Sequence, residues 1–187
     1  MLAKKPENTF VRSLIYSMSQ QSSNRLIDAY NHMMAAIRSA FDSNEHEEMS
    51  LSKAIQMAKD EITHITDITQ DEAEEISNFI KRDINDAAEY MMETSSEFSD
   101  WLMLDIAVVE RRVIDLFLSV ADKTRVELDQ LSNSNHQLST YYSGEITGPG
   151  TLQCAECSHI ISFLTTSHIG SCHNCGHSTF QRVEYKK

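Results

Sequence analysis

The sequence predicts a mainly α protein, in which an elongated antiparallel helical hairpin or coiled-coil bundle precedes a small C-terminal β region. All five glycines lie between Gly144 and Gly176, so the first 143 residues contain none of them. Apolar residues in the first part recur at steps of three and four, as on one face of an α-helix. We therefore divide the chain into a helical region with a terminal linker, residues 1–137, and a β region, residues 138–187.

Two helices are predicted in the first 65 residues. The first spans residues 8–42, and the second runs from about residue 50 to residue 65. Apolar residues of the second helix alternate steps of four and three, which is the pattern of a coiled-coil seam. The seam residues are Leu51, Ile55, Ala58, Ile62 and Ile65. This seam could pack within the chain or across a homo-oligomer.

Two further helices complete the predicted helical region. Thr69 and Glu72 have the spacing of a capping box, so a third helix begins there. Its apolar stripe consists of Ala73, Ile76, Ile80, Ile84, Ala87 and Met91. The fourth helix, about residues 97–131, is apolar on more than one face, which is typical of a central helix. Charged residues interrupt its apolar window, so we do not expect it to span a membrane.

The charge of the chain lies in its helical region. The net charge is −12, and residues 1–133 hold 25 acidic and 13 basic residues, whereas the rest of the chain is neutral. Phosphate backbones and anionic membranes both attract basic surfaces. The composition therefore disfavours membrane docking. It also disfavours binding to nucleic acid, more strongly through the helices than through the neutral C-terminal part. Because no long apolar run follows the N-terminus, we expect no signal peptide and a reducing, cytoplasmic location.

Four cysteines near the C-terminus are the candidate metal ligands. They form two Cys-x-x-Cys pairs separated by 14 residues, at Cys154, Cys157, Cys172 and Cys175. Each pair can aim two thiolates at one point, and soft thiolates in a tetrahedron are the ligands that Zn²⁺ favours. Four thiolates close the coordination shell, whereas a catalytic zinc keeps an open position. The β region is therefore predicted to be a zinc ribbon with one structural Zn²⁺, without catalytic residues or enzyme activity.

The same stretch contains four histidines whose role the sequence leaves open. They are His159, His168, His173 and His177. Any of them could replace a cysteine as ligand, but we interpret them as exposed or as hydrogen-bond donors near the sulfurs. The core candidates of the ribbon are Leu152, Ile160, Phe163, Ile169 and Phe180. So small a core cannot fold alone, so we expect metal removal to unfold the ribbon and leave the helices largely intact.

Several short motifs point to a family. They are Thr69-Gln70-Asp71-Glu72, Lys81-Arg82-Asp83, Asp122-Lys123-Thr124, Tyr142-Ser143-Gly144-Glu145 and Cys175-Gly176-His177. On these motifs, residues 69–187 resemble the YbeL-like group of bacterial zinc-ribbon-containing proteins, a family of unknown function. The resemblance implies a helical region followed by a four-cysteine ribbon in a cytoplasmic bacterial protein. His173 stands where members of this family often have a proline.

Together these features predict a non-enzymatic zinc-binding protein, an adaptor or regulator that engages another protein through its helices or its ribbon. One alternative is a factor associated with nucleic acid or with the transcription or translation machinery, which would use the ribbon. That alternative rests on analogy with other ribbons. Another alternative is a redox-responsive or zinc-responsive switch, which requires accessible thiolates.

Overall fold

The structure is a computed structural model that describes residues 9–43, 49–93, 120 and 140–183. The predicted fourth helix and the linker that follows it lie outside these residues, apart from Val120, which is helical and buried. Among the described residues, no helix combines the length and the apolar character needed to cross a membrane.

Three helices are found in the described part of the helical region: α1 (Thr9–Ser43), α2 (Leu51–Ile65) and α3 (Gln70–Glu93). Ser50 caps α2, because its side chain accepts a 3.1 Å hydrogen bond from the backbone N–H of Lys53. The predicted capping box at α3 is confirmed. The Glu72 carboxylate accepts the Thr69 N–H at 2.9 Å, and the Thr69 hydroxyl accepts the Glu72 N–H at 3.3 Å. The mainly α class and the coiled coil stay predictions.

The three helices share one apolar core. The predicted seam of α2 packs within the chain, where its first four residues are buried. The prediction is wrong for Ile65, which is 56% exposed, because α2 ends there and Thr66 adopts an extended conformation. Ile68, which follows that break, fills the core instead. The α3 stripe is buried from Ala73 to Ala87, whereas the side chain of Met91 lies outside the described part.

Six short strands form the C-terminal region: β1 (Thr140–Tyr142), β2 (Ile146–Thr147), β3 (Gly150–Cys154), β4 (Ile160–Phe163), β5 (Ser167–His168) and β6 (Thr179–Arg182). One antiparallel sheet has the order β1-β6-β3-β4, and β2 pairs with β5. The small C-terminal β region that the sequence predicts is thus confirmed, and it is an antiparallel sheet.

The core of the sheet contains Tyr141, Leu152, Cys154, Ile169, Cys172 and Phe180. Phe163 packs against it while half-buried. The prediction is wrong for Ile160, which is 45% exposed. Ile161 lies opposite Leu152 on β3 and faces the core, so its neighbour Ile160 faces the other side of the sheet.

The β region packs directly on the helices. Ile146 of β2 belongs to the helical core. The Thr166 hydroxyl donates a 2.7 Å hydrogen bond to the side-chain oxygen of Asn31 on α1. The domain boundary between residues 137 and 138 stays a prediction, and the two regions share a buried interface.

Candidate metal centre

Two turns with matching hydrogen bonds carry the four cysteines. In the first turn, the N–H of Ser158 donates to the carbonyl of Cys154 at 3.0 Å. In the second, the N–H of Gly176 donates to the carbonyl of Cys172 at 2.8 Å. The residue after each pair adopts a positive φ, 58° at Ser158 and 75° at Gly176. The sequence analysis recognised the two pairs, but it did not reveal that a serine takes the left-handed position in the first turn.

The four cysteines converge on one point, as their spacing predicts. All four sulfurs lie within 4.8 Å of one another. The Sγ atoms of Cys154 and Cys175 are 3.6 Å apart, as are those of Cys157 and Cys172. A tetrahedron of thiolates with Zn–S bonds of about 2.3 Å places its sulfurs about 3.8 Å apart. The positions and the chemistry of these donors therefore fit a zinc ion.

The cluster has one side in the apolar core and one side toward solvent. The first cysteine of each pair, Cys154 and Cys172, is buried, whereas Cys157 is half-buried and Cys175 is exposed. The two buried cysteines belong to the ribbon core together with Phe180 and Tyr141. A metal held here would therefore be fixed directly to the packed interior of the ribbon.

The free thiols of the two outer cysteines differ in acidity. The side chain of Asn174 and the backbone N–H of His159 lower the pKa of Cys157 to about 6. The backbone N–H of His177 favours the Cys175 thiolate, but the Cys157 sulfur, burial and the other sulfurs together raise the Cys175 pKa to about 12. A thiolate at one position thus raises the pKa at another, and a bound cation would remove this repulsion.

The four nearby histidines are absent from the ligand cluster, which among the described residues contains cysteines only. His159, His173 and His177 are exposed, and the His168 Nδ1 lies 3.1 Å from the carbonyl oxygen of Gly144. The backbone carbonyls of His159 and His177 accept the N–H groups of Cys154 and Cys172. The backbone carbonyls of two histidines therefore stabilise the turns. The imidazole rings do not belong to the ligand cluster.

A second site, which the sequence analysis missed, lies where the ribbon meets α3. Asp83 is fully buried there. Its Oδ2 accepts hydrogen bonds from the hydroxyl of Tyr30 at 2.8 Å and from the backbone N–H of Gly148 at 2.7 Å. Its Oδ1 lies 3.6 Å from the guanidinium of Arg182. Asp83 thus connects α1, α3 and the ribbon.

Asp86, one turn further along α3, makes the second connection to the ribbon. Its carboxylate accepts a hydrogen bond from the hydroxyl of Tyr141, and its Oδ2 lies 3.7 Å from the Nε of Arg182. Arg182 in turn donates to the Tyr141 hydroxyl at 2.8 Å. We call Asp83, Asp86, Tyr141, Gly148 and Arg182 the charge junction. A signal was present in the sequence, since Asp83 stands three residues after Ile80, on the apolar stripe.

Protonation in the charge junction follows from its burial. Burial raises the pKa of Tyr141 well above its ordinary value, so its hydroxyl keeps the proton that it donates to Asp86. Burial alone would lower the pKa of Arg182, but Tyr141 and the carboxylates of Asp83 and Asp86 raise it. The Arg182 guanidinium therefore stays charged, and it faces the carboxylates of Asp83 and Asp86 inside the protein. The Arg82 guanidinium is a second cation beside them, with its Nε 3.3 Å from the Oδ1 of Asp83.

The cysteine geometry agrees with the comparisons to known proteins. Residues 39–184 match the family described as zinc-ribbon containing domain. The chain belongs to this family. Within the zinc-ribbon family it is similar to the uncharacterized protein YbeL of Escherichia coli strain K12, with 23% identity over 163 residues, which cover 87% of this chain and 99% of the relative.

The proteins of the same name from Escherichia coli O6:H1 strain CFT073 and O157:H7 show the same identity and coverage. No solved structure matches the chain. The predicted resemblance to a YbeL-like zinc-ribbon family is confirmed.

Proposed function

We propose that this protein is a non-enzymatic zinc-binding adaptor or regulator whose partner is another protein. The observation that carries the proposal is the convergence of four cysteine sulfurs within 4.8 Å at the ends of two matching turns. A Zn²⁺ ion bound there would have its four positions filled by thiolates, so it would serve structure and not catalysis. The expectation of one zinc ion in a reducing, cytoplasmic compartment is part of the proposal.

The structural role follows from the size of the ribbon core. Six residues are buried in it, two of them cysteines. A core of this size does not stabilise a fold alone, and small modules of this kind rely on a metal. The ion would tie the end of β3 to the turn before β6, closing a loop between Cys154 and Cys175. The remaining ribbon residues could then hold one surface toward a partner.

The charges of the ribbon favour a protein partner over nucleic acid. Arg182 is the only Lys or Arg between residues 140 and 183, and it is buried in the charge junction. This part of the ribbon therefore offers no exposed Lys or Arg to a phosphate backbone. Association with transcription or translation machinery would then depend on protein contacts.

An affinity capture that compares matched variants tests the adaptor role. The wild-type chain, Cys172→Ser and Glu74→Gln are used as baits in bacterial lysate, with and without nuclease. Glu74→Gln is the control, because it alters an exposed carboxylate on α3, a helix that contains no cysteine. We expect the wild type and the control to retain a common protein that Cys172→Ser loses, whatever the nuclease treatment. Capture that nuclease abolishes would favour the nucleic-acid alternative, and no specific partner would contradict the adaptor role.

The accessible sulfurs favour a second candidate function, a redox-responsive or zinc-responsive switch. Cys175 is exposed and Cys157 is half-buried, so an oxidant could reach both. Two thiolates and one hydrogen peroxide would give one disulfide and two hydroxide ions, and the bound metal would leave. Zinc release followed with a zinc-binding dye tests this. Release at micromolar peroxide, reversed by a thiol reductant and zinc, would support the switch, and resistance to peroxide would contradict it.

A further inference from the structure

We propose that the charge junction couples the stability of α3 to the metal state of the ribbon. Loss of the metal would open the second half of α3 together with the ribbon, while the rest of the helical core stays closed. This inference rests on the proposed zinc binding. It concerns a different property, since it predicts that a helix without any metal ligand responds to the metal.

The first step is the dependence of the two buried carboxylates on the ribbon. Asp83 is 0% exposed and Asp86 is 8% exposed. The ribbon supplies Asp83 with the N–H of Gly148 and the charge of Arg182, and it supplies Asp86 with the hydroxyl of Tyr141. Removing one partner of a buried charge pair is strongly destabilising, because the remaining charge is neither paired nor hydrated.

The second step is the path from the cysteines to the charge junction. On β6, Phe180 pairs with Cys154 of β3 on one side and with Tyr141 of β1 on the other. Arg182 follows Phe180 by two residues and so lies on the same face of the sheet. Tyr141 and Arg182 therefore sit on strands that are held in place beside a metal ligand. If the sheet opens when the metal leaves, both residues leave α3 together.

The third step concerns which helical residues open when the metal leaves. Without the ribbon, Asp83 keeps the hydroxyl of Tyr30 and the guanidinium of Arg82, which belong to the helices. It loses Gly148 and Arg182, and Asp86 loses Tyr141. Water can replace these lost donors only if the helix around the two carboxylates opens.

The first half of α3 is fixed at its start by the Thr69 capping box, whereas both carboxylates lie in the second half. Core packing does not distinguish the two halves, because Ile80 and Ile84 are buried in the helical core as Ile76 is. We therefore place the response in residues 79–87 and expect α2 to change little.

Hydrogen–deuterium exchange of the full chain tests the coupling. The zinc-loaded protein is compared with the protein after removal of zinc by EDTA, and exchange is followed by mass spectrometry in residues 51–65, 79–87 and 140–183. We expect exchange in residues 79–87 to accelerate about tenfold or more, together with that of the ribbon. Residues 51–65 should change by less than about twofold. The readout is local opening and needs no known partner or activity.

Two variants test whether the buried carboxylates, and not a general loosening of the fold, cause the response of α3 to EDTA. In Asp83→Asn/Asp86→Asn the buried groups are neutral, so residues 79–87 should respond to EDTA several times less than in the wild type. Glu74→Gln, which alters an exposed carboxylate of the same helix, should respond as the wild type does. An equal response in the double variant would overturn the role of the charges. If the double variant does not fold, the wild-type measurement decides.

The outcomes distinguish the coupling from the zinc binding on which it rests. If EDTA opens residues 140–183 while residues 79–87 keep their exchange rates, the coupling is overturned and the proposed zinc binding stands. If the purified chain holds no zinc and EDTA changes no region, the proposed zinc binding fails and the coupling fails with it.

Discussion

The backbone N–H of Gly148 donates a 2.7 Å hydrogen bond to the carboxylate of Asp83, which is 65 residues away in the sequence. Through this contact a turn of the ribbon rests on the middle of α3. Since both residues are buried, the carboxylate cannot exchange this donor for water. Asp83 is therefore a residue at which the helical region depends directly on the ribbon.

Replacing Asp83 should destabilise the whole described fold. Asp83→Ala leaves the N–H of Gly148 buried without its acceptor and removes one of the two carboxylates beside Arg182. We therefore expect a loss of about 3–5 kcal/mol in the free energy of unfolding. Urea denaturation of the zinc-loaded protein, followed by circular dichroism, measures it. The control Glu75→Ala, at an exposed position of α3, should change the free energy by less than about 0.5 kcal/mol. A loss below about 1 kcal/mol for Asp83→Ala would contradict this prediction.

Two isoleucines of α2 test where the seam ends. Ile62 is fully buried and Ile65 is 56% exposed, although both continue the same sequence pattern. Ile62→Ala should lower the free energy of unfolding by about 2–5 kcal/mol, because it leaves a cavity in the helical core. Ile65→Ala should cost less than about 0.5 kcal/mol by the same denaturation measurement. Similar losses for the two variants would indicate that Ile65 is covered by a partner.

The positive φ angles of the two cysteine turns predict that two substitutions change the stability of the ribbon in opposite directions. Ser158 holds a φ of 58° with a side chain, so Ser158→Gly should stabilise the ribbon against thermal unfolding. Gly176→Ala, at a φ of 75°, should cost about 1–2 kcal/mol. Gly170→Ala is the control, since an added Cβ there meets nothing within 4 Å and the backbone is not left-handed. A Gly176→Ala variant as stable as this control would show that the turn has another conformation.

Metal content distinguishes the cysteines from the histidines around them. We expect one zinc per wild-type chain by elemental mass spectrometry, and a metal-depleted chain for Cys172→Ser. With Co²⁺ in place of zinc, the visible spectrum should be that of tetrahedral thiolate coordination. His173→Ala and His177→Ala should bind zinc as the wild type does, because the cluster contains cysteines only. Loss of zinc in either histidine variant would require a mixed ligand set.

The capping box predicts a pH dependence of α3. The backbone N–H of Thr69, with the side chains of Thr69 and Arg25, lowers the pKa of Glu72 below 4.5. Because the folded-state pKa is lowered, the stabilisation is present above the unfolded pKa and is lost as the pH falls through the folded value. A carboxyl NMR titration should show a midpoint for Glu72 below its ordinary value of 4.5. Thr69→Ala should move the Glu72 midpoint upward, and an unchanged midpoint would contradict the capping role.

Local signals explain what could be predicted from the sequence. The starts of α2 and α3 follow from Ser50, Thr69 and Glu72, which cap them through contacts within a few residues. The four cysteines were also predictable, because two-residue spacing constrains each turn whatever the rest of the chain does. In both cases the deciding contacts are short in sequence.

Long-range contacts explain what could not be predicted. The sequence did not predict the buried contacts of Asp83, since its ribbon partners lie 64 residues or more away in the sequence. Tyr30, Met34 and Ile37 of α1 are all buried because that helix contacts both α2 and α3. Ile160 was assigned to the ribbon core, whereas the register of β4 turns Ile161 inward.

The order of synthesis gives the charge junction a consequence for the growing chain. Asp83 and Asp86 are translated about 100 residues before Arg182, which corresponds to about 5–20 s at ordinary elongation rates. During that interval Tyr30 and Arg82 can already pair with Asp83, but the donors that the ribbon supplies to Asp83 and Asp86 are not yet synthesised. The helical layer can therefore complete its packing around these residues only after the last strand has left the ribosome.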